Sequence, residues 1–124
     1  MKQLSIPEYW LDFIHKNNLI FRDIEFPWPG EIDFKAIIEI LNEDLIIAES
    51  TEAYPGIAIA KDGYLPVAGC GVGTGDQYCI NVNDGIGGPL YLVDHERAGH
   101  DDYNQSEAVK IMLKDYREML SYIK

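Results

Sequence analysis

Three turn signals cut the middle of the chain into apolar runs of strand length. They are Lys61-Asp62-Gly63, the glycine-rich stretch 69–76, and Asn83-Asp84-Gly85-Ile86-Gly87-Gly88. Asp-Gly and Asn-Asp-Gly steps supply the positive φ that tight reversals need. The runs between them suit strands joined by hairpins. Ile57-Ala58-Ile59-Ala60 alternates large and small side chains and is expected as a first strand, with Asp62-Gly63 as its hairpin turn and 64–68 as its partner. Pro66 lacks an N–H, which places that partner at a sheet edge. The run 77–82 sets Tyr78, Ile80 and Val82 on one face. The run 89–94 is apolar on both faces and so reads as a central strand.

Helical signals flank this region. Ser5-Ile6-Pro7-Glu8 has the form of a capping box with proline in the first turn. Ile6, Trp10, Phe13 and Ile14 follow at helical spacing, and Asn17-Asn18 offers a left-handed stop. Residues 19–26 are mixed and fit a short strand. Pro27-Trp28-Pro29-Gly30 is a turn. Phe34, Ile37, Ile38 and Leu41 predict a second helix from about residue 33, while 45–50 fits helix or strand equally. Asn104, with Glu107 three residues on, opens a last helix whose apolar stripe is Val109, Met112, Leu113, Tyr116, Leu120 and Ile123. The expected class is α+β: a central antiparallel β-sheet flanked by N-terminal and C-terminal helices, in one domain over residues 1–124.

Charge narrows the range of partners. The chain carries 21 Asp+Glu against 10 Lys+Arg, a formal net charge of −11. The surplus sits between residues 23 and 109, where 17 acids face only Lys35, Lys61 and Arg97. Such a surface repels nucleic acid and anionic lipid and draws basic macromolecules. Lys2 is not followed by an apolar stretch of signal-peptide length, about 7–15 residues, and no run is long enough to span a bilayer. A cytoplasmic protein with two reduced thiols, Cys70 and Cys79, is the expectation.

Catalytic and cofactor motifs fail on spacing. The loop Gly69-Cys70-Gly71-Val72-Gly73-Thr74-Gly75-Asp76 lacks a glycine at the sixth position from either Gly69 or Gly71, and no Lys-Ser/Thr pair follows. In Asp94-His95-Glu96-Arg97-Ala98-Gly99-His100-Asp101-Asp102 the two histidines stand five apart, not the four that a helical zinc site uses. A loop metal site at His95 and His100, with metal-dependent chemistry, is the weakest of the functional readings. No serine stands in a nucleophile elbow, and nothing in the spacing of Cys70 or Cys79 demands a partner histidine. No catalytic residue, metal ligand or cofactor is assigned. Trp28, bracketed by prolines, is either a surface anchor for a partner or a lid folded onto the core.

The order of motifs resembles the SUKH superfamily, which includes fungal cell-wall-assembly regulators and bacterial immunity proteins. Ile6-Pro7-Glu8-Tyr9-Trp10-Leu11-Asp12-Phe13-Ile14 is similar to the family's Pro-containing helix. Ile57 to Gly63 is like its first central hairpin, and the glycine-rich turn into Gln77-Tyr78-Cys79-Ile80-Asn81-Val82 follows as in the family. Gly88-Pro89-Leu90-Tyr91-Leu92-Val93-Asp94-His95-Glu96 is similar to its Gly-Pro-Val-Tyr-x-Trp-Asp-His-Glu strand, with Val93 in the tryptophan position. The resemblance implies no catalysis. It implies a domain that neutralises a cognate toxin, of nuclease or deaminase type, by direct binding. An intracellular regulatory or scaffold module is the alternative. Together with the charge, it points to a basic protein partner, met by Asp76, Asp84, Asp94, Glu96, Asp101, Asp102 and Trp28. The oligomeric state is left open.

Overall fold

The structure is a computed structural model that describes residues 5–30, 33–52, 55–71, 76–98 and 103–123. Six strands form one antiparallel sheet in chain order: β1 (Asp23–Pro27), β2 (Lys35–Ile40), β3 (Tyr64–Cys70), β4 (Gln77–Asn81), β5 (Leu90–Val93) and β6 (Val109–Leu113). Four α-helical segments accompany them: α1 (Glu8–Lys16), α2 (Glu43–Thr51), α3 (Gly56–Ile59) and α4 (Gln105–Ala108). Two 3-10 segments follow α3 and β6, at Ala60–Asp62 and Tyr116–Tyr122. The class is α+β with a central antiparallel sheet, as the sequence led one to expect.

The sheet curls, so its outer strands approach each other. Lys110 Nζ of β6 lies 5.9 Å from the centre of the Trp28 ring just past β1, and Tyr122 of the last 3-10 segment meets Phe26 of β1 at 6.1 Å. Alternation along each strand then defines two apolar faces. On one face Leu65, Val67, Tyr78, Ile80, Leu90 and Leu92 join Trp10 and Ile14 of α1 and Tyr116 and Met119 near the C-terminus. Trp10, Phe13 and Tyr116 make a tight aromatic group with centroids 5.0–5.5 Å apart. On the other face Tyr64, Cys79 and Val93 pack with Ile59, Ala98 and Ala108. β5 is bonded to both β4 and β6, the interior position its two apolar faces predict.

Several elements differ from their sequence reading. Residues 33–41 form no helix. Lys35–Ile40 is a strand whose Ala36, Ile38 and Ile40 are buried, while Lys35 and Glu39 are exposed. The pair Ile37-Ile38 satisfies both periods, and three β-branched residues in six favour the pleated surface. Phe34, expected on the helix stripe, is 63% exposed. Residues 57–60 form no strand. Gly56–Ile59 is one helical turn followed by a 3-10 turn, which Gly63 closes at φ +92°. The left-handed glycine is there, as a helix stop and not as a hairpin turn. Gly56 brings this turn against α2 so closely that a Cβ would sit 1.9 Å from the Glu49 carbonyl oxygen.

Pro66 is not on an edge strand, because β3 lies between β2 and β4. β2 pairs only with Ala68 to Cys70, so at Pro66 the strand is bonded on one side alone, and a bulge follows. The local requirement behind the edge reading is therefore met inside the sheet. The last predicted helix is three elements. Asn104 caps α4 by accepting the Ser106 N–H at 3.0 Å, β6 then pairs with β5, and Asp115 caps the 3-10 segment by accepting the Arg117 N–H at 2.8 Å. Of the expected stripe, Leu120 is 38% exposed, whereas Met119, outside it, is fully buried. The first helix begins at Glu8 with Pro7, not Ser5, at its N-cap, and makes no side-chain cap; Asn18 provides the left-handed stop at φ +53°. Residues 45–50 are helical under the Asn42 cap, whose Oδ1 accepts the Leu45 N–H. Among the described residues no helix is long and apolar enough to cross a membrane.

Candidate functional site

Antiparallel pairing fixes which acids can act together. Gln77 faces Val93, so Asp76, one residue before β4, and Asp94, one residue after β5, emerge at the same end of the sheet. Asp84 lies beyond Asn81 at the opposite end. The candidate acids among the described residues therefore divide between two ends.

At the first end Asp76 holds His95 twice. Its Oδ1 accepts the His95 backbone N–H at 3.0 Å and lies 2.6 Å from His95 Nδ1. A carboxylate only accepts, so Nδ1 carries the proton. That bond, more than any other influence, raises the His95 pKa above its ordinary value; partial desolvation opposes it, and the charges of Asp76, Glu96 and Asp94 add to it. Asp94 caps its own turn by accepting the Glu96 N–H at 2.9 Å. Arg97 Nε stands 3.7 Å from Asp94, and its Nη1 stands 3.5 Å from Glu107 of α4. The Glu96 side chain is 81% exposed, with its Oε1 4.0 Å from His95 Nε2.

One ligand atom each from Asp76, Asp94 and His95 lies within 4.8 Å of the others, a set that could meet a cation. Among the described residues only three donors converge, and one is already an imidazole bonded to one of the carboxylates, whereas structural metal sites close four or more ligands. Asp101, Asp102 and His100 lie outside the described residues, as do residues 72–75 of the glycine-rich loop.

At the second end Asp84 is exposed, and its Oδ2 accepts the Tyr91 hydroxyl at 2.7 Å. Tyr91 stands edge-on to Tyr64 at 5.2 Å. Tyr64 donates its hydroxyl to Gln105 Oε1 at 3.0 Å. Beyond Tyr64, Tyr103 donates its hydroxyl to Asp62 Oδ2 at 2.5 Å, and Lys61 Nζ sits 5.6 Å from the centre of the Tyr103 ring. Burial first, and then the adjoining carboxylate, pushes the hydroxyls of Tyr91 and Tyr103 up, so both remain donors at neutral pH. None of Asp62, Tyr64, Tyr91 and Tyr103 was among the site residues expected from the sequence. Asp62 and Tyr103 are 41 residues apart, and no local pattern joins them.

Trp28 combines features of both its readings. It is half-buried and packs against the larger core, while Lys110 covers one face of its ring. Its backbone N–H donates to the Phe34 carbonyl at 2.9 Å, which ties the β1–β2 connection together. A groove of about 350 Å³ lies nearby, walled by Glu25, Phe26, Lys35 and Tyr122. Glu25 and Lys35 pair there at 3.2 Å, and no imidazole or thiol lines it. Neither Cys70 nor Cys79 is in a disulfide. Cys79 faces Pro66, four residues before Cys70 along β3, which puts the two roughly 13 Å apart and beyond disulfide reach.

Against family models, curated proteins and solved structures, the chain finds no match.

Proposed function

We propose that this is a non-enzymatic, acidic, cytoplasmic domain that binds a basic protein, and that it acts as an immunity protein against a toxin of nuclease or deaminase type. The observation that carries the reading is the grouping of Asp76, Asp94 and Glu96 at one end of a sheet packed on both faces. Hydrogen bonds fix the directions of Asp76 and Asp94, while Glu96 projects into solvent. Carboxylates held in this way meet a cationic surface without first having to be ordered, which lowers the cost of association. Enzymes that act on nucleic acid carry such cationic surfaces. The resemblance of residues 88–96 to the SUKH strand, in an α+β chain with a helix ahead of its sheet, supports the immunity role.

The test is co-purification of the tagged protein with the product of the adjacent gene, followed by association kinetics. A stoichiometric complex is expected, with a rate that falls as salt rises. Changing Glu96, Asp101 and Asp102 together to Lys should slow association by at least about tenfold at low salt. An unchanged rate would remove these residues from the interface, and a salt-independent complex would remove the electrostatic reading altogether.

A further inference from the structure

We propose that the face formed by Asp62, Asp84, Ile86, Tyr91 and Tyr103 is a docking surface for an arginine-bearing segment of the partner protein. The inference rests on the protein-binding reading above and assigns that role to the opposite end of the sheet.

Ile86 is the most exposed of the large apolar side chains described, at 69%. It stands on a turn tied at both ends by backbone hydrogen bonds. Gly85 and Gly87 flank it at φ +74° and +81°, Asp84 N–H donates to the Asn81 carbonyl, and Tyr116 N–H donates to the Gly88 carbonyl. A branched aliphatic side chain turned outward to this extent adds little to the core and leaves most of its apolar surface open to a contact. Asp84, two residues before it, joins this turn to the partly exposed Tyr91, and the buried Tyr64 braces Tyr91 from below. Tyr103 reaches Asp62, whose backbone carbonyl accepts from the Asn81 side chain at 3.0 Å. Aromatic rings with an apolar knob form the usual anchor of a protein interface.

Charge selects the occupant. Asp62 and Asp84 are each oriented by a tyrosine hydroxyl, and a neutral donor orients a carboxylate without cancelling its charge. Each retains acceptor capacity for a second donor. Lys61 already rests on the Tyr103 ring, so this surface accommodates a cation over an aromatic face. A guanidinium satisfies both features at once, because it stacks flat on a tyrosine and forks to a carboxylate, which an ammonium cannot do.

The experiment is an amide NMR titration of the full chain with a blocked hexa-arginine peptide at low salt, set beside hexa-lysine. Shifts should centre on residues 62–64, 84–86, 91 and 103, with arginine binding more tightly. Asp62→Asn with Asp84→Asn keeps both tyrosine acceptors, and hence the fold, and should weaken binding about tenfold or more. Glu43→Gln with Glu52→Gln, at exposed acids on either end of α2 and outside both ends of the sheet discussed above, should change it less than about twofold. Shifts centred on residues 76 and 94–96, or spread evenly over every exposed acid, would overturn this docking face. So would absence of peptide binding. In each of those cases the protein-binding reading stands or falls separately, on the co-purification experiment.

Discussion

His95 meets one carboxylate oxygen of Asp76 with both its backbone N–H, at 3.0 Å, and its ring Nδ1, at 2.6 Å. The two residues are 19 apart in the chain and belong to segments at the same end of β4 and β5, so the contact ties the segment after β5 to the start of β4. The folded chain holds the imidazole proton more tightly than the unfolded chain does, since the folded pKa lies above the ordinary 6.5. The resulting stability is fully present below about pH 6.5 and is lost as pH rises through the folded value. The stability difference between wild type and His95→Gln, from urea melts, should therefore be largest near pH 5.5 and shrink toward about pH 8.5. A difference that stays flat or grows across that range would contradict the ion pair.

A divalent metal at Asp76, Asp94 and His95 would have to displace the proton that Asp76 holds on Nδ1 or bind at the exposed Nε2. Addition of zinc or manganese in excess should move the melting temperature by less than about 1 °C. A rise of several degrees that disappears in Asp76→Asn would establish a metal centre and revive the enzymatic reading.

Gly56 and Gly69 should respond oppositely to alanine. At Gly56 the added carbon would meet the Glu49 carbonyl oxygen at 1.9 Å, and a backbone carbonyl within α2 cannot move aside cheaply. Gly56→Ala should cost at least about 1–3 kcal/mol, as overpacking does. At Gly69 nothing lies within 4 Å, and alanine there should fall within about 0.5 kcal/mol of wild type. Chemical denaturation of both variants makes the comparison, and equal effects would mean that α3 does not pack on α2 as described.

The two thiols should differ in reactivity. Cys79 is fully buried against Ile59 and Val93, and burial raises its pKa well above that of a free thiol, with the Glu49 charge adding to the shift. Cys70 is partly exposed. Iodoacetamide under native conditions should label Cys70 and leave Cys79 unmodified, while urea should open both. Mass spectrometry of the labelled peptides reads the result. Native labelling of Cys79 at the rate of Cys70 would show that the smaller core does not close.

Some turn and cap positions were legible from residues alone, while the capping box at Ser5 did not form. Asn18 and Gly63 take the left-handed conformation, and Asn104 caps a helix, because each of these is decided within a few residues by backbone sterics or one local hydrogen bond. Strand partnership was not legible. Ile37-Ile38 and the stripe from Val109 onward carry helical spacing, yet they are drawn into β2 and β6 because β1, β3 and β5 offer unpaired edges that only a strand can satisfy. The acidic surplus is a property of composition, and its sign limits the partners wherever the acids sit. Which acids stand together was settled by sheet register: pairing Gln77 with Val93 gathers Asp76 with Asp94 and sends Asp84 to the far end, beside a tyrosine row assembled from segments up to 41 residues apart. Contacts at that separation follow from how the strands align, and no run of neighbouring residues encodes them.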